Sequence, residues 1–314
     1  MDQLTPHHRR ALRLVVATSL VAAMLGTGTS AAADGRQSGP RAPVPVFVLE
    51  HGRYHGFDVP FGPYAGELVG INNRGDITGG YAQTADACVH GFLRDVRGRF
   101  SRIDFPGAGA TQPIDLDDRG TIVGSYQIAD CNDTLHGFVR DPRGRFVSLD
   151  APGSVATQAF GINNHGQVVG QYNTGDGGTH GFVWDRGRFM VIDGPAGAIG
   201  ATILDVNDRG QMVGLYADRA GTLHAFLLIG RDYTVIDVPA APVTFPFGLN
   251  NRGDVALTTA TRLVLEPGVG GYALRAGTRT EVAFPKAAVT AALDINDHGT
   301  VIGVYNNPAP RTDR

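Results

Sequence analysis

The sequence predicts an all-β fold, a six-bladed β-propeller of four-stranded blades, and two observations carry that expectation. A turn phrase returns six times: Gly70-Ile-Asn-Asn-Arg-Gly75, Asp115-Leu-Asp-Asp-Arg-Gly120, Gly161-Ile-Asn-Asn-His-Gly166, Asp205-Val-Asn-Asp-Arg-Gly210, Gly248-Leu-Asn-Asn-Arg-Gly253 and Asp294-Ile-Asn-Asp-His-Gly299. Its closing glycines lie 45, 46, 44, 43 and 46 residues apart, a period that suits one small sheet per repeat. The second observation is that the ends of the chain are complementary halves of a repeat. Phe47 to Pro60 matches Phe182 to Pro195 without a gap, and Asp294 to Tyr305 is a first half lacking its second. A ring accounts for both orphans, because N- and C-terminal half-blades combine into a sixth blade and close it. If the third strand of each repeat were innermost instead, the same residues would form six intact blades with no clasp.

Within a repeat, each element has a local cause. In the third, Gln158 to Asn163 reads as a short strand, and Asn163-Asn164-His165-Gly166 as a tight hairpin turn with a bulge. Asn and Gly tolerate the positive φ that such a turn demands. Gln167 to Tyr172 pairs back as the second strand, and a glycine-rich loop leads to the third, His180 to Asp185. Arg186-Gly187 turns the chain into the fourth strand, Arg188 to Asp193, and Pro195 ends it because proline cannot donate to a ladder. Sustained helical periodicity is confined to the leader.

Residues 1–33 read as a secretory signal peptide, with a basic head (His7 to Arg13), an apolar stretch (Leu14 to Gly26) and small residues before Asp34. Residues 34–42 read as a flexible linker, 43–306 as one propeller domain and 307–314 as a disordered tail. Removing the leader takes three arginines and one aspartate and leaves 24 basic and 29 acidic side chains, net −5. That balance argues against a nucleic-acid partner, which needs a basic footprint. No other segment is apolar for long enough to span a membrane. Cys88 and Cys131 precede the same element in neighbouring repeats, so a disulfide is expected in an oxidising compartment. The expected product is a secreted, extracellular monomer.

The succession of Asn-Asn-x-Gly, Val-x-Gly-x-Tyr and then His224-Ala225-Phe226, with His-Gly-Phe at 90, 136 and 180, resembles the extracellular HAF-repeat family. The resemblance spans nearly the whole mature chain. It implies a secreted repeat protein and brings no catalytic residue to transfer.

Most polar positions repeat, and repetition points to architecture. His90, His136, His180 and His224 occupy one position in four blades, where Gly270 and Pro45 stand in the other two. Each is expected to bond a turn of its own blade. Asp58, Asp104, Asp150, Asp193 and Asp237 each precede a proline by two residues and are expected to cap the strand exit, with only Ala283 breaking the series. The residue opening the turn phrase alternates Gly70, Asp115, Gly161, Asp205, Gly248, Asp294. If the first strand is innermost, Asp115, Asp205 and Asp294 surround the channel, where three carboxylates could hold Ca²⁺. The other reading is two hydrogen-bond solutions for one hairpin. At the start of the first strands, Glu67, Gln112 and Gln158 oppose Ile203, Phe245 and Ala291, which would make an amphipathic mouth to which His51 and His55 could add.

The sequence contains no nucleophile elbow, zinc-protease helix or phosphate-binding glycine loop. The expected function is binding or scaffolding at the channel mouth, with an extracellular glycan, polymer or protein as partner and no obligatory cofactor. The alternative is a secreted hydrolase or lyase working in the axial pocket, assisted by a cation.

Overall fold

The computed structural model describes residues 45–306 except 63, 84–87, 130, 132, 242 and 261–268, with the side chains of 64–69 and 306 also outside the description. Six antiparallel four-stranded sheets form a ring, and the described residues contain no helix. Blade 1 comprises Tyr64–Ile71, Ile77–Ala82, His90–Arg94 and Phe100–Ile103. Blade 2 comprises Ala110–Leu116, Ile122–Gln127, His136–Arg140 and Phe146–Leu149. Blade 3 comprises Ser154–Ile162, Val168–Thr174, Thr179–Asp185 and Arg188–Ile192. Blade 4 comprises Gly200–Val206, Met212–Ala217, Leu223–Ile229 and Asp232–Val235. Blade 5 comprises Val243–Leu249, Val255–Ala260, Gly270–Arg275 and Thr278–Val282.

Blade 6 is built from both ends of the chain. Val289–Ile295 and Val301–Asn306 supply its inner strands, Val46–Glu50 and Arg53–Phe57 its outer ones. The seam is an antiparallel ladder running from Val46 opposite Val304 to Leu49 opposite Val301. First strands of neighbouring blades touch around the ring, so the first strand is innermost and the clasped arrangement is the one adopted.

The turn phrase does what its residues dictate. In blade 3, Gly166 N–H donates to the Asn163 carbonyl at 2.9 Å, and the Asn163 Oδ1 accepts from His165 and Gln167 N–H at 3.1 and 3.0 Å. Gly166 sits at φ +81°, a conformation that costs glycine nothing. The core lies between blades. Phe47, Phe92, Phe138, Phe182 and Phe226 are all 0% exposed, each two residues beyond the repeated His position. Burying such a ring contributes roughly 1.5–3 kcal/mol. A Cβ on Gly170 would run into the Gln158 backbone carbonyl of the first strand and meet the Phe182 ring at 2.9 Å, which explains the glycine of Val-x-Gly.

Cys88 and Cys131 are disulfide-bonded, with Cα atoms 5.3 Å apart, tying the loops between second and third strands of blades 1 and 2. No helix among the described residues is long and apolar enough to cross a membrane.

Candidate functional site

The axis is closed by three stacked layers, each generated by one position of the first strand or its turn. In blades 2 to 6 the first strand carries a β-bulge, at Ile114, Phe160, Leu204, Phe247 and Leu293. These five side chains, from five different blades, belong to one apolar cluster, which only the ring axis allows. A bulge re-aims a side chain, and here it plugs the channel.

The next layer holds the alternating Asp and Gly. Asp205 and Asp294 are 8% and 9% exposed, and Asp115 retains a little more surface. Each Oδ1 accepts the N–H of its own following residue, Leu116, Val206 or Ile295, at 2.7 Å. Each Oδ2 accepts an N–H of the next blade: Ile162 to Asp115 at 2.8 Å, Leu249 to Asp205 at 2.6 Å, Ile71 to Asp294 at 2.8 Å. Glycine is required between them. A Cβ on Gly161 would lie 2.7 Å from Asp205 Oδ1 and 2.8 Å from its Cα, and Gly70 meets Asp115 in the same way. Alternation is thus a packing solution in which every second blade yields space to the carboxylate of its neighbour. Burial raises Asp115 and Asp205 well above the ordinary range, aided by the charges of Asp205 and Asp294 at Asp115 and by that of Asp294 at Asp205. Burial pushes Asp294 up to about 7.

The third layer is a continuous ring of Asn73, Asp118, Asn164, Asp208, Asn251 and Asp297. Each Asn amide donates to both flanking carboxylates at 2.8–3.0 Å. Each backbone N–H donates to the side chain of the next blade. Burial pushes Asp208 up, but the Asn164 and Asn251 amides outweigh it and hold that carboxyl below its usual range. The triad and the ring line a cavity of about 60 Å³. Pockets for drug-sized ligands measure roughly 300–1,000 Å³, so this space suits a few waters or one small ion.

The opposite end of the ring, where first strands begin, carries the histidines. His90, His136, His180 and His224 bond through Nδ1 to Asp104, Asp150, Asp193 and Asp237 at 3.0, 3.1, 3.0 and 2.7 Å. The two repeated polar series are partners of one another. Tyr126, Tyr172 and Tyr216 stack on three of these imidazoles. Blade 5 lacks both members, with Gly270 and Ala283 in their places. The pairing was missed in the sequence, although that joint loss was its signal.

The expected amphipathic mouth is not assembled by the residues described. Gln112 and Gln158 are 4% and 3% exposed and lie between blades. Gln112 presses against Gly80 of blade 1, and Gln158 accepts from Gln171 at 3.0 Å. His51 and His55 are exposed on the outer hairpin of blade 6, away from the axis. Glu67 falls in the stretch whose side chains lie outside the described residues. The reason is alternation along the strand, since position 112 and its equivalent 158 point into the blade interface and not along the channel. Asp115, Asp205 and Asp294 are brought together as expected, with their oxygens already engaged by backbone N–H groups.

No family model and no curated protein matches this chain. Among solved structures, TolB from Acinetobacter baumannii is similar, with 10% identity and a TM-score of 0.55 over 84% of this chain. The match covers 64% of that chain, less than two thirds of its length. The putative TolB from Agrobacterium tumefaciens is similar with 11% identity and a TM-score of 0.56, over 86% of this chain and 100% of that one. At these identities the likeness is one of fold.

Proposed function

We propose that this chain is a secreted binding or scaffolding protein that recognises an extracellular protein, glycan or polymer on the loop-bearing end of the ring where first strands begin. The observation that carries the reading is a run of aliphatic side chains left in water there. Ile128 (53% exposed) follows the second strand of blade 2, Val155 (54%) opens blade 3, and Ile199 (41%) leads into blade 4. Apolar groups exposed on consecutive loops of a rigid ring make a contact surface, and the Cys88–Cys131 bridge braces its first member's blade. The disulfide also supports a non-cytoplasmic location.

The hydrolase or lyase alternative has less support, because the axial cavity of about 60 Å³ leaves no room for a substrate. Ca²⁺ at Asp115, Asp205 and Asp294 would have to share six carboxylate oxygens that each already accept a backbone N–H. A chelator is therefore expected to leave Tm unchanged. The binding reading is tested with the Ile128→Ser/Val155→Ser/Ile199→Ser variant, by thermal shift against wall sugars and by co-purification with cell-surface material. The variant should keep the wild-type Tm and lose the partner or the sugar-dependent shift. Equal capture by both proteins would move recognition elsewhere.

A further inference from the structure

We infer that the other end of the ring, where the turn phrases lie, is a binding face for an anionic extracellular polysaccharide. The inference concerns a different surface from the one argued above and does not rest on it. The small net charge of the chain conceals a segregation. Of the eighteen described arginines, sixteen lie in, or within two residues of, the hairpin turns joining first to second and third to fourth strands, all at this end. Fourteen carboxylates meet the same criterion. At the opposite end, eight aspartates in the loops and strand ends face only Arg102, Arg219 and Lys286 among the described arginines and lysines.

The fourteen carboxylates are largely committed. Asp115, Asp205 and Asp294 are held by backbone N–H groups, and Asp118, Asp208 and Asp297 by the asparagine ring. Asp95 and Asp141 pair with Arg99 and Arg145 of their own turns at 2.6 and 2.7 Å. The fifth residue of every turn phrase is basic and exposed: Arg74, Arg119, His165, Arg209, Arg252 and His298 form a collar around the axial opening. Arg74 and Arg252 have a structural partner two residues on, Asp76 at 2.7 Å and Asp254 at 2.8 Å. Arg119 and Arg209 do not. Thr121 and Gln211 stand in the partner position, and no described carboxylate lies within 4.0 Å of either guanidinium. Two exposed guanidinium forks with no internal task, two blades apart on the collar with His165 between them, suit bidentate carboxylate or sulfate groups.

Charge spacing decides the class of polymer. A nucleic-acid duplex carries one charge per roughly 1.7 Å of axis and would press phosphates onto the interleaved aspartates. A polysaccharide with one acidic group per sugar can meet the arginines and pass between the carboxylates. The probe is polygalacturonate, with neutral dextran, duplex DNA and phosphatidylglycerol vesicles as comparisons, titrated with the full secreted protein at low and physiological salt. Expected are binding to polygalacturonate that weakens steeply with salt, none to dextran, and a loss of about tenfold in Arg119→Gln/Arg209→Gln at unchanged Tm. Arg219→Gln, on the other face, should bind as wild type does. Absence of binding by the wild type, equal binding by the double variant, or equal binding to dextran would overturn the inference. Tighter binding to DNA or to the vesicles at equal charge would overturn the polysaccharide assignment.

Discussion

Asp117 is the one departure in a second hydrogen-bond series that runs around the axis. At its position Asn72, Asn163, Asn207, Asn250 and Asn296 each donate through Nδ2 to the backbone carbonyl of the same position in the next blade, at 3.0–3.1 Å. Asp117 has no amide to donate, so the carbonyl of Asn163 goes without this bond. Its Oδ1 already accepts from Arg119 and Thr121 N–H at 2.9 and 2.7 Å, a role that an asparagine oxygen retains. Asp117→Asn should therefore complete the series and stabilise by about 1 kcal/mol, raising Tm by roughly 2–4 °C in a thermal melt. The axial triad makes a prediction of opposite character. A carboxyl pushed from 3.8 up to about 7 by burial, as in Asp294, binds its proton more tightly in the folded than in the unfolded chain. Its stabilising contribution is therefore complete below pH ~4 and is lost as pH rises through ~7. Asp294→Asn should flatten this fall, seen as a smaller loss of Tm between pH 4 and 7 than in wild type. An unchanged slope would show that Asp294 does not titrate there.

Among the connecting elements, the loops between second and third strands carry the only covalent brace among the described residues. The bridge closes 43 residues of chain separation between blades 1 and 2. A loop of that size restricts the unfolded chain by an amount worth about 2–4 kcal/mol. Cys88→Ser/Cys131→Ser should lower the unfolding free energy by that much in denaturant titration, without change in the far-ultraviolet spectrum. The hairpin turns behave differently. Each is held by its own Asx geometry and also by the next blade, so their conformation was legible residue by residue. Their partners 43 to 46 residues away were not. Strand positions were likewise legible, whereas the bulges that send Ile114 or Phe160 to the axis leave no mark in hydrophobic alternation.

For the whole molecule, closure is the decisive event. Blade 6 packs Phe47 against Tyr54, Phe284 and Tyr305, with ring centroids 5.6, 6.0 and 6.4 Å apart. Without Val46–Phe57 the inner strands of blade 6 lose that aromatic core and expose an edge, and the Asn–Asp ring loses the rigid frame that keeps it closed. A chain starting at residue 61 should fail to unfold cooperatively, measured by calorimetry against the full mature chain. A sharp transition in the truncated chain would argue that five blades and a two-stranded remnant suffice.

Blade number and the Cys88–Cys131 bridge followed from the sequence, because period, turn chemistry and the match of Phe47–Pro60 to Phe182–Pro195 are properties of the chain taken one residue after another. The clasp was one of two arrangements left open until the first strand was seen to be innermost. The tertiary structure decided what those positions mean. Only ring closure makes residues one repeat apart into neighbours, and so makes Asp115, Asp205 and Asp294 acceptors for the next blade's backbone. Only the facing of the first strand buries Gln112 and Gln158. The gathering of arginines on one face lay in the sequence as a basic fifth residue in all six turn phrases. It acquired physical meaning once the hairpins were seen to share one end of the ring, where charges scattered along the chain act together.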